Sequence, residues 1–205
     1  MRTLSTDEAK RLITAADDTR LKALWQLGIG TGMRIGELLG LRWQDVSFSH
    51  NEIRIRHSLQ RSPEGLVLSE PKTSSSVRSV YLTSRMIESL KVHRVRQTEN
   101  AIRLGPSWSD LGYVFTTEVG TPINPNSIAR REFRPLLKKA GIEGVVRIHD
   151  LRHTAISLAL GAGVAPTDVA EMAGHSSVAV TLSRYAHALP EAPRRAAEAI
   201  EMVIA

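Results

Sequence analysis

Five side chains of this sequence have the types and the order along the chain that phosphate chemistry requires. They are two arginines, two histidines and one tyrosine, namely Arg34, His149, Arg152, His175 and Tyr185. A guanidinium keeps its charge at physiological pH, and its fork of N–H donors matches the non-bridging oxygens of a phosphodiester. Taken singly, each arginine is more commonly a surface ion-pair residue, and each histidine a capping or core residue. Together the five predict a phosphate-binding site with a nucleophile.

Tyr185 is the predicted nucleophile. Ionising a phenol at neutral pH costs about 4 kcal/mol, since its pKa is near 10 and each pH unit is worth ~1.4 kcal/mol. Neighbouring cations offset that cost and stabilise a pentacovalent transition state without a metal ion. The resulting phosphotyrosine conserves the energy of the broken bond, so no ATP is needed. Tyr81 and Tyr113 are competing phenols, but both lie on predicted strands, where aromatic side chains usually pack.

Lys72 and His153 are two further candidates for a role in this chemistry. Lys72 lies in a small, polar segment, residues 70–76, that predicts an exposed turn between two strands. It is a candidate general acid for the departing sugar oxygen, and on its own a solvated lysine is the alternative. His153 follows Arg152 but points about 100° away on a helix, which predicts a packing or supporting role.

The composition restricts the classes of protein and of site. The 205 residues are 42% hydrophobic, enough for one large domain or two small ones. No cysteine is present, which excludes disulfides and thiolate sites, and no metal-binding motif is found, so we expect neither metal nor cofactor. A net charge of +6 favours a polyanion, and 4% aromatic residues are too few to stack single strands, which favours duplex DNA. No apolar run predicts a signal peptide or a membrane span.

The elements that must position these residues are mostly helices, which predicts an α+β fold that is largely α. Apolar periodicity predicts helices over residues 5–16, 21–29, 33–41, 84–103, 126–140, 148–160, 166–173 and 178–185. Alternating, β-branched segments predict one three-stranded antiparallel sheet at an edge, from residues 52–56, 65–68 and 77–82, and a short buried strand over 112–115.

A basic stripe and a terminal segment complete the pattern. Arg130, Arg134 and Lys138 recur at successive turns of the predicted helix 126–140, which Pro135 should kink or break. The stripe predicts contact with DNA, and a solvated helix face is the alternative. Residues 190–205 predict a separable helix with an apolar stripe.

The motifs that hold these residues resemble the tyrosine recombinase, or phage integrase, family over nearly the whole chain. They are Thr31-Gly32-Met33-Arg34-Ile35-Gly36-Glu37-Leu38, His149-x-x-Arg152, Gly174-His175, Tyr185 and, similar to the family's β-hairpin lysine motif, Lys72-Thr73-x-x-Ser76-x-Arg78-x-Val80. The resemblance implies a site-specific recombinase that forms a 3′-phosphotyrosine and a free 5′-hydroxyl. It implies that the two arginines and two histidines named at the outset activate the scissile phosphate, that Glu37 supports them, and that Lys72 is the general acid.

The resemblance also implies partners and a domain organisation. Residues 1–189 would be the catalytic domain, and residues 190–205 a helix exchanged between protomers of a homo-tetrameric synapse or folded back on its own protomer. The isolated chain could be a monomer. Family members carry an N-terminal domain that completes a clamp around DNA, which we expect to be absent from this chain, so that the chain alone binds DNA weakly. Its place would be the cytoplasm, at a bacterial nucleoid or in a phage-infected host.

Three other functions fit part of the pattern. A type IB topoisomerase shares the chemistry but relaxes supercoils without exchanging partners. A DNA-binding regulator could use residues 166–185 as a helix-turn-helix. An interaction module could use the C-terminal helix alone, and it would have no affinity for DNA.

Overall fold

Helices form most of the chain in the computed structural model, which describes residues 2–69 and 77–186 together with positions 197, 200–202 and 204. The α-helices of the long described ranges are α1 (Thr6–Ala15), α2 (Lys22–Thr31), α3 (Ile35–Leu39), α4 (Ser84–Leu104), α5 (Pro125–Ile128), α6 (Arg134–Lys139), α7 (Ile148–Gly161), α8 (Pro166–Ala173) and α9 (Val178–Tyr185). The predicted α+β, mostly helical fold class is confirmed.

The predicted helix over residues 126–140 is confirmed as a continuous helical segment over residues 125–139, whose regular α-helical form is interrupted just before its proline, as expected. A π-helical turn, Ala129–Phe133, separates α5 from α6. Pro135 lies in the first turn of α6, where its missing N–H leaves no intrahelical hydrogen bond unmade. The wider π-helical turn before Pro135 accommodates the proline ring. The helical segment therefore has three parts, which are α5, the π-helical turn and α6.

The strands form two separate antiparallel sheets. They are β1 (Val46–Ser47), β2 (Glu52–Ile55), β3 (Ser58–Ser62), β4 (Gly65–Ser69) and β5 (Arg78–Tyr81). One sheet has the order β1-β2-β5, with Ile53 opposite both Val46 and Val80, and the other is the β3-β4 hairpin. A three-stranded sheet therefore exists, but the predicted membership of residues 65–68 is wrong.

The polar sequence of β3, Ser-Leu-Gln-Arg-Ser, explains that error. Of its five residues only Leu59 is buried, so no alternation marks β3 as the partner of β4. The predicted strand over residues 112–115 is also wrong. Val114 and Phe115 are buried there, but only one isolated bridge, from Arg42 to Tyr113, joins the segment to its neighbour.

Two apolar clusters hold the helices together. The larger extends from α1 through α2, α3, the sheet and α6, and in it the rings of Trp25 and Phe133 pack with centroids 5.4 Å apart. The smaller joins α7, α8 and α9 through Ile156, Leu160, Val169, Ala173 and Tyr185. Tyr185 thus belongs to the smaller cluster, whereas Arg34 begins a helix that is packed in the larger one.

The predicted terminal helix over residues 190–205 lies mostly outside the described residues. At the positions that are described, 197, 200–202 and 204, the backbone is helical and the side chains are exposed. No helix of the described chain is long and apolar enough to cross a membrane.

Candidate active site

Arg34 lies at the start of α3, where the chain leaves an extended conformation. The sequence predicts that Arg34 lies inside a helix over residues 33–41, but Arg34 is the N-cap residue of the shorter α3. Its backbone N–H and its Nη1 donate to the two oxygens of Glu37, at 2.8 and 2.9 Å. Its Nη2 donates to the carbonyl of Gly174 at 3.2 Å. These bonds orient the guanidinium of Arg34. The Arg34 side chain is still 40% exposed, so it can bind an anion.

Glu37 is buried and links Arg34 to a second guanidinium, that of Arg78. Arg78 donates from Nη1 and Nη2 to the two Glu37 oxygens at 3.1 and 3.0 Å, a bidentate pair. Burial alone would raise the pKa of Glu37, but the hydrogen bonds and charges of Arg78 and Arg34 hold it below its ordinary value. The predicted supporting position of Glu37 thus corresponds to a buried carboxylate between two arginines.

Arg78 is a site residue for which the sequence analysis assigned no role. It is the first residue of β5, is buried, and donates from Nε to the carbonyl of Met172 at 3.0 Å near the end of α8. Arg78 therefore ties the sheet to both α3 and α8. A signal for it existed, because Arg78 occupies the same inward face of the strand as Val80, and an inward arginine needs a buried partner.

Arg152 lies in α7 and is almost fully buried. Its Nη1 donates to the carbonyl of Gly32 at 2.7 Å, while its Nη2 has no hydrogen-bond partner among the described residues. Burial and the nearby charge of Arg34 lower the pKa of Arg152 to about 10. The guanidinium still remains charged at neutral pH, and it has a donor available for an anion.

The helix α7 presents two histidines near Arg152. His149 is exposed at the first turn, and the ring of His153, one turn later, meets it edge-on with centroids 4.7 Å apart. Burial and the charge of Arg152 lower the pKa of His149. The predicted pairing of His149 with Arg152 along one helix is confirmed in placement, since both lie on α7.

His175 follows the residue that ends α8. Gly174 adopts a left-handed conformation with φ of +66°, which favours glycine, and a Cβ there would lie 2.7 Å from Arg78 Nη1. The His175 ring Nδ1 lies 2.7 Å from the hydroxyl of Thr181. Burial, with the charges of Arg152 and Arg34, lowers the pKa of His175 to about 4. The ring is therefore neutral at pH 7 in the free protein.

Tyr185 is the last residue of α9, and its side chain is 1% exposed. Its ring stacks on that of His175, with centroids 6.4 Å apart and 15° between the planes. Burial raises the pKa of Tyr185, against the opposite influence of Arg152 and Arg184. The structure therefore brings Tyr185 of the same chain to the histidines and to the field of Arg152.

The Tyr185 hydroxyl is hydrogen-bonded to Nδ1 of His153. His153, for which the sequence predicts a packing or supporting role, is buried and contacts the phenol. α9 packs against the flank of α7 on which His153 lies, so a residue 100° from Arg152 still reaches the site.

The competing tyrosines do not contact these residues. Tyr81 lies on β5 but is 78% exposed, so the expectation that it packs in the core is wrong. Tyr113 is buried, and the guanidinium of Arg42 lies 5.4 Å from its ring centroid. Among the described tyrosines, Tyr185 is the one in contact with histidines.

Other predicted residues lie elsewhere or beyond what is described. Lys72 and its turn, residues 70–76, lie outside the described residues. Arg130, Arg134 and Lys138 are exposed, and the last two line a surface groove of about 600 Å³ whose far end reaches Ile148, next to His149. Across residues 2–69 and 77–186, no cluster of three potential metal ligands is found.

Comparisons with known proteins identify the family of this chain. The model of the phage integrase family matches residues 2–192. A tyrosine recombinase XerC-like protein of Caldanaerobacter subterraneus subsp. tengcongensis is 34% identical over 97% of this chain and 53% of its own length. The chain thus spans about half the length of such curated relatives.

Solved structures show the same fold. The XerA recombinase matches with a TM-score of 0.71 and 31% identity, over 90% of this chain and 60% of that one. The Tn1549 transposon integrase, solved in complex with circular intermediate DNA, matches with a TM-score of 0.79 and 25% identity, over 97% and 67%. On the family match, the relatives and the fold together, this chain belongs to the phage integrase family.

Proposed function

We propose that this chain is the catalytic part of a site-specific DNA recombinase that cuts and rejoins strands through a 3′-phosphotyrosine, without metal or ATP. The observation that carries the proposal is the position of Tyr185. Its phenol contacts one histidine, stacks on another and lies in the field of Arg152, all within one chain. Membership of the phage integrase family supports the same reaction class.

The arginines and histidines would bind and activate the scissile phosphate. Arg34 is oriented by Glu37 yet partly exposed, and Arg152 has a donor without a partner among the described residues. Because their positions are fixed before the substrate binds, they can stabilise the charge that develops on the phosphorane oxygens. His149 and His175 flank Arg152 and would donate to the same oxygens.

Lys72 would protonate the departing 5′ oxygen. This role rests on the resemblance of its segment to the family's lysine motif. The structure supports it indirectly, because Arg78, six residues later, is bound to Glu37 in the site.

We further propose duplex DNA as the substrate and a homo-tetramer as the synapse. The Tn1549 integrase was solved with DNA, and the exposed Arg130, Arg134 and Lys138 would add phosphate contacts here. Since the chain spans half of its relatives' length, an N-terminal domain would complete the DNA clamp in the whole protein. Residues 190–205 would pack on a neighbouring protomer, and the exposed Ile200 and Ile204 are consistent with that. The bacterial and phage sources of the relatives support bacterial DNA as the substrate.

A nicked suicide duplex tests the proposal. After cleavage the short fragment that carries the free 5′-hydroxyl diffuses away, so the strand cannot be rejoined. The covalent protein–DNA adduct therefore accumulates, and it migrates slowly in a denaturing gel. We expect the adduct with the wild-type chain and none with Tyr185→Phe, because the ester cannot form without the phenol oxygen. Tyr81→Phe is the matched control, since it removes an exposed hydroxyl from the same chain.

The same assay separates the alternatives. An adduct that persists in Tyr185→Phe contradicts the assigned nucleophile. Binding without cleavage would indicate a DNA-binding regulator, and no binding would indicate an interaction module. Cleavage followed by relaxation of supercoils, without exchange between two duplexes in the whole protein, would indicate a topoisomerase.

A further inference from the structure

His153 is the one side chain of the described ranges that is hydrogen-bonded to the Tyr185 hydroxyl. The bond joins Nδ1 of the imidazole to the phenol oxygen, the atom that would attack phosphorus. Both side chains are buried, with 7% and 1% of their surface exposed, so water competes little for the contact. Neither the family's phosphate-activating residues nor the general acid accounts for this histidine.

The charges around His153 keep its ring neutral. From α7 it faces His149, Asp150 and Arg152, and from α9 it faces the phenol. Burial, His149 and Arg152 lower the pKa of His153 to about 4, against the opposing carboxylate of Asp150. Burial also raises the pKa of Tyr185. At neutral pH the phenol therefore keeps its proton, and the imidazole has a free lone pair to accept it.

The other two histidines are less suited to this task. The Nδ1 of His175 lies 2.7 Å from the Thr181 hydroxyl, and the His175 ring lies parallel to the phenol instead of directing a nitrogen at its oxygen. His149 meets the ring of His153, with no hydrogen bond to the phenol among the described contacts. Geometry therefore singles out His153.

We propose that His153 accepts the Tyr185 proton during DNA cleavage and returns it during rejoining. In cleavage the phenol O–H bond breaks and the Nδ1–H bond forms while the phenol oxygen bonds to phosphorus. The P–O5′ bond breaks, and the 5′ oxygen takes its proton from the general acid. Rejoining reverses each step, so no proton or electron is left over. This inference rests on the proposed function.

The substrate itself would make His153 a stronger base at the right moment. In the free protein its neighbours are cationic or neutral, apart from Asp150. A bound phosphodiester brings negative charge, which grows in the pentacovalent transition state, and negative charge favours the imidazolium. As the P–O bond forms, the phenol proton also becomes more acidic. Proton transfer is therefore favourable during attack and unfavourable before it.

A duplex with sulfur in place of the bridging 5′ oxygen isolates this half of the reaction. A thiolate leaves without a proton, so the cleavage rate no longer depends on the general acid. We would measure single-turnover adduct formation with saturating DNA from pH 6 to 8.5, for the wild-type chain and for His153→Asn. Asparagine places a hydrogen-bond acceptor near the position of Nδ1 but is not a base.

In the wild-type chain we expect a rate that is nearly independent of pH, because His153 is neutral throughout this range. In His153→Asn we expect a rate about 100-fold lower at pH 7, the usual effect of losing a general base. That rate should rise about tenfold per pH unit, since the phenolate must then form by ionisation. His149→Asn is the matched control, and it should lower the rate without steepening the profile.

A flat profile in His153→Asn, at any rate, would overturn the proposal and leave His153 as a positioning residue. No adduct from the wild-type chain would instead overturn the proposed function, so the two failures are distinguishable. If His153→Asn does not fold, ¹⁵N NMR of the wild-type imidazole decides. A ring protonated on Nε2 supports the proposal, and a ring protonated on Nδ1 contradicts it because that nitrogen would then donate to the phenol.

Discussion

The two halves of the site are held in place by different forces. Arg34, Glu37 and Arg78 form an ionic network, in which Glu37 and Arg78 are buried, that joins α3, β5 and α8 next to the main core. Tyr185 lies in a satellite cluster with four other buried side chains and one hydrogen bond to α7. Paired buried charges tolerate little displacement, whereas a small apolar cluster can open at a low cost. We infer that the phosphate-binding half is rigid and that the nucleophile half can move.

The largest effect should come from Arg152→Met. We expect the rate of covalent adduct formation to fall by about 10³-fold, because the Nη2 donor and the positive charge that stabilise the phosphorane are lost. Stability should change by less than about 1 kcal/mol, because the variant removes a buried charge whose Nη2 has no partner among the described residues. Suicide-substrate kinetics and urea unfolding measure the two quantities, with the exposed Arg103→Met as a control for lost positive charge. A loss of more than about 3 kcal/mol would show that Arg152 is structural.

Arg78→Met tests the rigidity of the ionic network. It leaves the Glu37 carboxylate buried without its bidentate partner, so we expect the free energy of unfolding to fall by roughly 3–5 kcal/mol. The double variant Arg78→Met, Glu37→Leu should recover most of this loss, since both charges are then replaced by apolar groups. Chemical denaturation of the wild-type chain, the single variant and the double variant measures their free energies of unfolding. An equal loss in the single and double variants would mean that packing, and not charge, is at stake.

Leu160→Ala tests the satellite cluster. Leu160 is fully buried there, and such a truncation costs about 2–5 kcal/mol. If the nucleophile half opens independently, hydrogen exchange should quicken in α8 and α9 while the amides of α2 stay protected. Leu182→Ala, at an exposed position of α9, is the control. Equal acceleration in α2 would show that the two halves unfold as one unit.

The last expected effect is a dependence of stability on pH. His153 and His175 have a folded pKa of about 4, below the ordinary value of 6.5, so below pH 6.5 the unfolded chain binds more protons. The free energy of unfolding should therefore fall as the pH is lowered from 6.5 towards 4.5. Above that interval these two groups contribute no slope. His175→Gln should flatten the curve, and urea unfolding at several pH values measures it.

Prediction from sequence succeeded where the signal was local. Helical periodicity located α7, α8 and α9 to within a residue or two, and Gly161, Pro166 and Gly174 mark the end of α7 and both ends of α8. It failed where a partner decided the outcome. The strand β3 has only one buried side chain and is defined by pairing with β4.

Residue types and order along the chain determined the chemistry available to this protein: permanent cations for a phosphate, a phenol to attack it, and no thiol. Tertiary structure alone decided which groups meet. Arg78 and His153 had no predicted part in the chemistry, yet Arg78 of β5 is bonded to Glu37 of α3, and packing of α9 on α7 brings His153 to the Tyr185 hydroxyl. The reason is physical, since a side chain's charge is intrinsic to it, whereas its neighbours across 41 or 32 residues depend on how the helices pack.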